Sequence, residues 1–249
     1  MLAPLLATLA LASPTACPTD PQASAAPRVV AVPALAGQKL GKVNYPDAVT
    51  LADHELALTF DDGPDDDHTR AVLDILDRHC IKATFFLVGQ EVDADPALVR
   101  TIAARGHSLA AHTYTHPERL GALPLDAREA EIDRSFAAIS NALAAEPAEV
   151  KARAVRFFRF PELVDDDASL AYLREKSVTV FSADYGIDDW TEIGPDELLR
   201  RAIAFTEERR KGVIVLHDFN PNMIAMLDQM ITTLEARGYR FVQIVQAGG

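Results

Sequence analysis

The chain has 249 residues, of which 49% are hydrophobic and 24% are charged. These proportions are ordinary for a globular protein, and the length fits one sizeable α/β domain that can bury a full core without disulfide bonds. The formal net charge is -13 at pH 7. Such an acidic surface repels polyanions, so the composition argues against nucleic acid as a partner.

The N-terminal segment has features of an export signal. It is apolar from Leu2 to Ala12 and then passes through small residues to Cys17. The apolar run is too short to span a membrane, and we predict no transmembrane segment. We interpret residues 1–26 as a signal peptide and linker, and expect an exported protein that is periplasmic, secreted or associated with the cell envelope. The Ala16-Cys17 pair leaves a lipid anchor at Cys17 as an alternative to a free form.

The rest of the chain is interpreted as an N-terminal extension, residues 27–53, followed by one domain, residues 54–249. Cys80 is the only cysteine of that domain. If the signal segment is removed, Cys80 has no partner within the chain. We therefore interpret it as a small hydrophobic side chain in the interior.

Strand-like and helix-like stretches alternate from residue 54 onward. Short apolar runs predict strands at 56–60, 83–88, 108–111, 155–158, 178–182, 212–216 and 240–245. Amphipathic stretches predict helices at 68–79, 95–105, 125–144, 166–176, 195–210 and 223–237. This alternation implies an α/β fold with a mostly parallel sheet and helices outside it. About seven strands favour a distorted or incomplete (β/α) barrel, with a doubly wound sheet as the alternative.

Polar side chains follow directly after five of the predicted strands. They are Asp61, His112, Arg159, Asp184 and His217. In parallel α/β folds the functional site lies at the carboxyl ends of the strands. We therefore expect these five side chains to meet at one mouth of the barrel, and this placement favours the barrel over the open sheet.

Three residues near these strand ends form a candidate metal site. Asp62 follows Asp61, and His112 and His116 are four positions apart. Two imidazoles and one carboxylate leave coordination positions open, as in a catalytic metal site. Zinc is the first candidate, and the mixed ligand set also admits cobalt, nickel, manganese or iron. Asp62-Gly63-Pro64 is also ordinary turn chemistry, so this segment alone does not decide between a turn and a metal site.

The remaining segments offer partners for proton transfer and for substrate. Arg159 lies among aromatic residues, where a cation needs a partner, and Asp61 is the natural one. Asp189 could orient His217 and keep it protonated near neutral pH. Trp190 could form the wall of a sugar-binding cleft. The structural alternatives are a surface arginine, a histidine of the core and a solvated acidic loop.

Together these segments resemble the motifs of the NodB-homology polysaccharide deacetylases, carbohydrate esterase family four. The resemblance runs from about Leu56 to Val245 and is carried by Asp-Asp-Gly-Pro at 61–64, His-Thr-Tyr-Thr-His-Pro at 112–117 and Leu-His-Asp at 216–218. It implies a distorted (β/α) barrel and an acetylated carbohydrate as the substrate. The chain departs from the family pattern at Ala111, where Asn is common, and at Glu162, where Tyr is usual.

The resemblance also implies a role for each motif residue. Asp62, His112 and His116 would bind the metal. Asp61 would be the general base, aligned and held ionised by Arg159, and His217 would be the general acid, tuned by Asp189. Trp190 and Leu216 would line the pocket for the acetyl methyl group, and Glu162 would contribute a backbone N–H to the oxyanion site.

Three hypotheses follow for the function. The first is a metal-dependent hydrolase that removes N- or O-acetyl groups from a carbohydrate such as a chitooligosaccharide or peptidoglycan. The second is a non-catalytic carbohydrate-binding protein of the same fold, motivated by Glu162. The third is a hydrolase of a non-sugar amide. The sequence does not distinguish the glycan, the metal or the oligomeric state.

Overall fold

The structure is a computed structural model that describes residues 28–248. The predicted signal peptide and linker and the alternative lipid anchor at Cys17 lie outside these residues. Within the described part of the chain, no helix is both long enough and apolar enough to cross a membrane.

The strands of residues 28–248 form two sheets in which every pair is parallel. The larger sheet has the order β2-β7-β6-β5-β4-β3-β9-β8, and β10 also pairs with β3, while β1 and β11 form a separate pair. The strands are β1 (Val29–Pro33), β2 (Lys39–Leu40), β3 (Glu55–Asp61), β4 (Thr84–Leu87), β5 (Ser108–Ala111), β6 (Ala154–Phe158), β7 (Thr179–Phe181), β8 (Tyr185–Gly186), β9 (Gly212–His217), β10 (Arg240–Phe241) and β11 (Gln243–Ala247).

The helices connect these strands in the expected alternation. They are α1 (Asp66–Arg78), α2 (Gly89–Ala94), α3 (Pro96–Ala104), α4 (Leu125–Ala142), α5 (Ala148–Lys151), α6 (Asp167–Glu175), α7 (Pro195–Arg209) and α8 (Pro221–Ala236), with 3₁₀ turns at Leu120–Ala122 and Pro161–Leu163. Local sequence sets several helix starts. Proline opens α3, α7 and α8, and the side chains of Asp95, Asp166 and Asn220 cap α3, α6 and α8.

The chain connection between β7 and β8 shows that the large sheet curls. Six strand-to-strand intervals separate β7 from β8 along the sheet, which would be about 29 Å in a flat sheet. Yet β7 ends at Phe181 and β8 begins at Tyr185, and four residue steps reach at most about 14 Å. The two ends of the sheet must therefore approach each other. The structure confirms the distorted (β/α) barrel.

Two hydrophobic cores lie on the two faces of this curled sheet. Alternate residues of β3 divide between them: Leu56, Leu58 and Phe60 pack in a cluster shared with the helices, whereas Ala57 belongs to a second cluster that contains no helical residue. This second cluster fills the barrel interior. Since side chains alternate across a strand, Asp61 continues the interior face beyond Ala57 and reaches the mouth of the barrel.

All seven predicted strands and all six predicted helices are present, with ends that differ by a few residues. The predicted strand at 240–245 is divided into β10 and β11. The sequence did not indicate β1, β2 or β8. Residues predicted as an N-terminal extension pair with the domain, β1 with β11 and β2 with β7. The expectation for Cys80 is wrong, because Cys80 is only half-buried and is disulfide-bonded.

Candidate active site

Four of the five side chains expected at strand ends lie at the carboxyl ends of strands of the large sheet, whereas the expectation for Asp184 is wrong, because Asp184 lies beside the amino-terminal end of β9. Asp61 and His217 are paired in register at the ends of β3 and β9, and His112 and Arg159 follow β5 and β6. Asp184 has a structural place instead. Its carboxylate accepts hydrogen bonds from the backbone N–H groups of Lys42 (2.9 Å) and Val213 (2.8 Å), so it joins the chain segments where the barrel edges meet.

Arg159 and Asp61 form a buried ion pair inside the mouth. Nη1 of Arg159 donates to Oδ1 of Asp61 at 2.5 Å and to the hydroxyl of Thr59 at 2.8 Å, and Nη2 donates to the carbonyl of Ser182 at 3.0 Å. The guanidinium also lies 4.0 Å from the ring centre of Phe86. Burial lowers the pKa of Arg159, and the charge of Asp61 opposes that change. The predicted pairing is therefore present, with the guanidinium held on several sides.

Asp62, His112 and His116 form the one compact cluster of potential metal ligands among residues 28–248. Oδ1 of Asp62 lies 3.3 Å from Nε2 of His112 and 3.1 Å from Nε2 of His116. This oxygen is buried and makes no hydrogen bond. Burial raises the pKa of Asp62, but the two imidazoles outweigh it and hold that pKa well below its usual range.

This cluster fits a divalent metal. Ligands about 2.1 Å from a tetrahedral ion are about 3.4 Å apart, which is close to the separations seen here. Nδ1 of His112 donates to the backbone carbonyl of Arg159 at 2.8 Å, so its Nε2 carries the lone pair that a metal needs. The buried Oδ1 of Asp62, which has no hydrogen bond, would gain a partner.

The backbone that carries this cluster is strained, and a carboxylate from a later part of the sequence stabilises it. Asp62, Thr113 and His116 have positive φ angles of 76°, 62° and 52°, which cost energy for residues other than glycine and are common at functional sites. Glu131 of α4 stabilises the His112–His116 loop. Its carboxylate accepts hydrogen bonds from the N–H groups of Tyr114 (2.9 Å) and Thr115 (2.7 Å) and from the Thr115 hydroxyl (2.9 Å). The sequence analysis missed Glu131, and no local pattern marks it.

His217 and Asp189 form the second reactive pair. Asp189 is buried, and its Oδ1 lies 3.0 Å from Nδ1 of His217 while its Oδ2 accepts from the His217 backbone N–H at 2.7 Å. Burial lowers the pKa of His217, but the hydrogen bond and charge of Asp189 outweigh it and raise that pKa to about 9. The imidazole is therefore protonated at neutral pH. Asn220 supports the arrangement by donating to the backbone carbonyl of Asp189.

Asp218, directly after His217, lies against the turn that follows Asp61 and Asp62. It is fully buried and accepts a hydrogen bond from the hydroxyl of Thr69 at 2.5 Å. Burial raises the pKa of Asp218 to about 7. A Cβ on Gly63 would come within 2.5 Å of the Asp218 carboxylate. The sequence analysis had assigned no role to Asp218.

The two pairs and the ligand cluster open into one cavity of about 460 Å³, a size typical of ligand sites. The predicted site residues on its wall are Asp61, Asp62, His112, His116, Glu162, Asp189, Trp190 and His217. Arg159 lies behind Asp61 and does not line this cavity. Trp190 is 63% exposed and stands at the rim. Glu162 is exposed and has a positive φ of 55°.

The structure corrects the position expected for Leu216. This side chain is fully buried and packs in the cluster between the sheet and the helices. Val215 lines the cavity on β9 instead. The physical reason is the alternation of side chains along a strand: Val215 and His217 face the barrel interior, so Leu216 faces the helices.

The other histidines of the described chain do not line this cavity. His107 is fully buried and accepts a hydrogen bond from the Ala83 N–H at 3.1 Å. Burial lowers its pKa to about 3, so it is neutral. His54, His68 and His79 lie beside carboxylates nearer the surface.

Comparisons with known proteins identify the family. The sequence model of the polysaccharide deacetylases matches residues 48–181. The chain is 33% identical over 193 residues to a chitooligosaccharide deacetylase of Rhizobium leguminosarum bv. trifolii, covering 74% of this chain and 84% of the relative. It is 32% identical over 197 residues to a peptidoglycan-N-acetylglucosamine deacetylase of Bacillus cereus, covering 76% and 66%. The chain therefore belongs to the polysaccharide deacetylase family.

A solved structure supports the same assignment. The peptidoglycan deacetylase of Bdellovibrio bacteriovorus superposes with a TM-score of 0.77 at 27% identity, covering 89% of this chain and 59% of that protein. This chain thus spans only part of that relative, and just under two thirds of the Bacillus cereus protein.

Proposed function

We propose that this protein is a metal-dependent hydrolase that removes acetyl groups from a carbohydrate. The observation that carries the proposal is the convergence of three units on one cavity: the Asp62–His112–His116 cluster, the Asp61–Arg159 ion pair and the His217–Asp189 pair. They supply a metal site, a group to accept a proton and a group to donate one.

Asp62, His112 and His116 would hold the metal, with zinc as the first candidate among zinc, cobalt, nickel, manganese and iron. A metal bound there would supply Lewis acidity, which makes a water molecule more acidic and polarises a carbonyl group. The hydrogen bond from Nδ1 of His112 to the Arg159 carbonyl and the positive φ angles of Asp62 and His116 would orient these ligands.

The residues of this chain would then move two protons. Asp61 accepts one from the attacking water as its oxygen bonds to the acetyl carbonyl carbon. His217 donates the other to the departing nitrogen, or oxygen in an ester, as the bond to the carbonyl carbon breaks. The products are acetate and the free amine or hydroxyl. The buried pairing with Arg159 keeps the Asp61 carboxylate pointed at the cavity, and Asp189 does the same for the His217 ring. The backbone N–H of Glu162 is proposed to contact the developing oxyanion.

The relatives suggest the substrate. Their names indicate deacetylation of chitooligosaccharides and of N-acetylglucosamine in peptidoglycan, so we propose a glycan that contains N-acetylglucosamine. Trp190 at the rim would contact a sugar ring. We also propose export of the protein, on the basis of the signal peptide predicted in residues 1–26.

The test is acetate release from chitooligosaccharides, peptidoglycan and acetylated xylan, with and without added zinc or cobalt. We expect release from one of these glycans that a chelator abolishes and added metal restores. His112→Ala should bind less metal and release no acetate. Acetate release that persists in His112→Ala without bound metal would contradict the proposal.

Glu162 favours a second candidate, a carbohydrate-binding protein without turnover. Glu162 lines the cavity, and a carboxylate close to a developing oxyanion opposes catalysis. Glycan binding by the metal-loaded protein without acetate release, together with acetate release by Glu162→Tyr, would identify this second function.

A further inference from the structure

Residues 41–45, predicted as part of an N-terminal extension, form a turn against the wall of the catalytic cavity. Val43 of this turn lines the cavity, and its backbone N–H donates to the carbonyl of Ala183 at 2.9 Å. Gly41 has a φ of 118°, and a Cβ there would come within 2.7 Å of the backbone carbon of Ser182. The close approach of the 41–45 turn to the chain after β7 therefore requires glycine.

The side-chain amide of Asn44 in the 41–45 turn bridges two parts of the site. Its Nδ2 donates to the backbone carbonyl of Leu163 at 2.8 Å, and its Oδ1 accepts a hydrogen bond from the hydroxyl of Ser182. The backbone carbonyl of Ser182 accepts in turn from Nη2 of Arg159 at 3.0 Å. One amide group thus connects the 3₁₀ turn of residues 161–163 to the chain segment that holds the buried guanidinium.

The hydrogen bond from Asn44 reaches the Glu162 backbone N–H through two peptide groups. The carbonyl of Leu163 and the N–H of Val164 belong to the first peptide group. That N–H donates to the carbonyl of Pro161 at 3.0 Å, and the Pro161 carbonyl belongs to the same peptide group as the N–H of Glu162. Because a peptide group is planar and rigid, a contact that fixes its carbonyl also fixes the direction of its N–H.

The backbone of the 161–163 turn needs such support. Glu162 and Leu163 have consecutive positive φ angles of 55° and 56°, and this conformation persists in residues other than glycine only when the surroundings hold it. Tyr45 provides a second anchor, since its side chain is buried and its hydroxyl donates to the carboxylate of Asp165 at 2.7 Å. The 41–45 turn therefore holds the segment that carries Glu162 at two points.

We propose that Asn44 is a positioning residue for the deacetylation, which holds the 161–163 turn so that the Glu162 N–H is directed at the developing oxyanion. The inference depends on the proposed function. An oxyanion donor is effective when it is aligned in advance with the position where charge develops. Asn44 does not line the catalytic cavity, so it acts through the backbone. Its loss should affect the transition state rather than the binding of substrate.

The experiment measures kcat and KM for the metal-loaded wild type, Asn44→Ala and Asn44→Asp, on the glycan from which the wild type releases acetate. In both variants kcat should fall about tenfold, with KM unchanged. Asn44→Asp is the sharper variant, because it keeps the size of the side chain and an acceptor for Ser182 but has no N–H for Leu163. Asn141→Ala is the matched control, because Asn141 is exposed on α4 and does not line the cavity.

Amide hydrogen exchange tests the same contact without turnover. The Val164 N–H should exchange about fivefold faster in Asn44→Ala and Asn44→Asp than in the wild type, because the turn has lost one of its hydrogen bonds. Asn141→Ala should leave this rate unchanged. Equal exchange of the Val164 N–H in all four proteins would show that Asn44 does not hold the turn.

The kinetic outcomes separate the positioning role from the proposed function. An unchanged kcat in both Asn44 variants would overturn the positioning role and leave the deacetylase function intact. A raised KM with an unchanged kcat would also overturn it, since Asn44 would then contribute to substrate binding. If the wild type releases no acetate from any glycan, the proposed function fails, and the positioning role fails with it.

Discussion

Two ion pairs of the site each hold a cavity-lining side chain with a buried partner of opposite charge. Asp61 is paired with the buried cation Arg159, and His217 is paired with the buried anion Asp189. In both pairs the reactive group lines the cavity, while its partner is buried and also bonded to backbone atoms. The difference lies in titration. An arginine stays charged throughout the working pH range, whereas the imidazole of the second pair can lose its proton. We therefore expect the first pair to be sensitive to substitution and insensitive to pH in the working range, and the second pair to be sensitive to pH.

Removing the proposed proton acceptor should have the largest effect on activity. Asp61→Asn keeps the size of the side chain but removes the proposed base, so kcat should fall by about 10²–10⁴-fold. The measurement is acetate release at saturating metal. Metal content by elemental analysis is the control, since Asp62, His112 and His116 remain. Retention of more than a tenth of the wild-type kcat would refute the role of Asp61.

Removing Arg159, the partner of Asp61, should lower the free energy of unfolding as well as the activity. Arg159→Met leaves the Asp61 carboxylate buried without its ion pair, and such a loss costs about 3–5 kcal/mol in the free energy of unfolding. Denaturant unfolding measures it. The double variant Arg159→Met with Asp61→Asn should be more stable than Arg159→Met alone, because no unpaired charge remains buried. If the two are equally stable, the ion pair does not explain the cost.

The His217–Asp189 pair should lose its charge interaction as the pH rises. The pKa of His217 is raised to about 9 in the folded protein, above the ordinary value of about 6.5. The charged imidazole therefore contributes stability that is complete below about pH 6.5 and lost as pH rises through about 9. The protonated, donating form should disappear over the same upper range. We expect kcat/KM of the wild type to decline near pH 9.

Asp189→Asn should move that decline toward lower pH, because the charge that raises the pKa of His217 is gone. At pH 7.5 this corresponds to a loss of about tenfold in activity. The pH profile of kcat/KM distinguishes this effect from a general loss of structure, which would lower the whole profile. An alkaline decline at the same pH in both proteins would show that Asp189 does not tune His217.

Much of the site follows from the order of residues along the chain. Asp61, His112, Arg159 and His217 each follow a short apolar run, and parallel strands bring their carboxyl ends together in any barrel of this kind. The pairing of Arg159 with Asp61 and of His217 with Asp189 could be predicted because buried charges need partners. Local turn and cap residues also predict most helix ends, as at Pro96 and Pro195.

The sequence by itself thus determined the strands, the helices and the set of polar side chains at one end of the barrel. Only the tertiary structure decided what depends on distant segments, namely the support of the His112–His116 loop by Glu131 and the placement of Val215 rather than Leu216 in the cavity. These contacts join residues that are far apart in the sequence. The curl of the sheet brings them together, and no local pattern of residues encodes that curl.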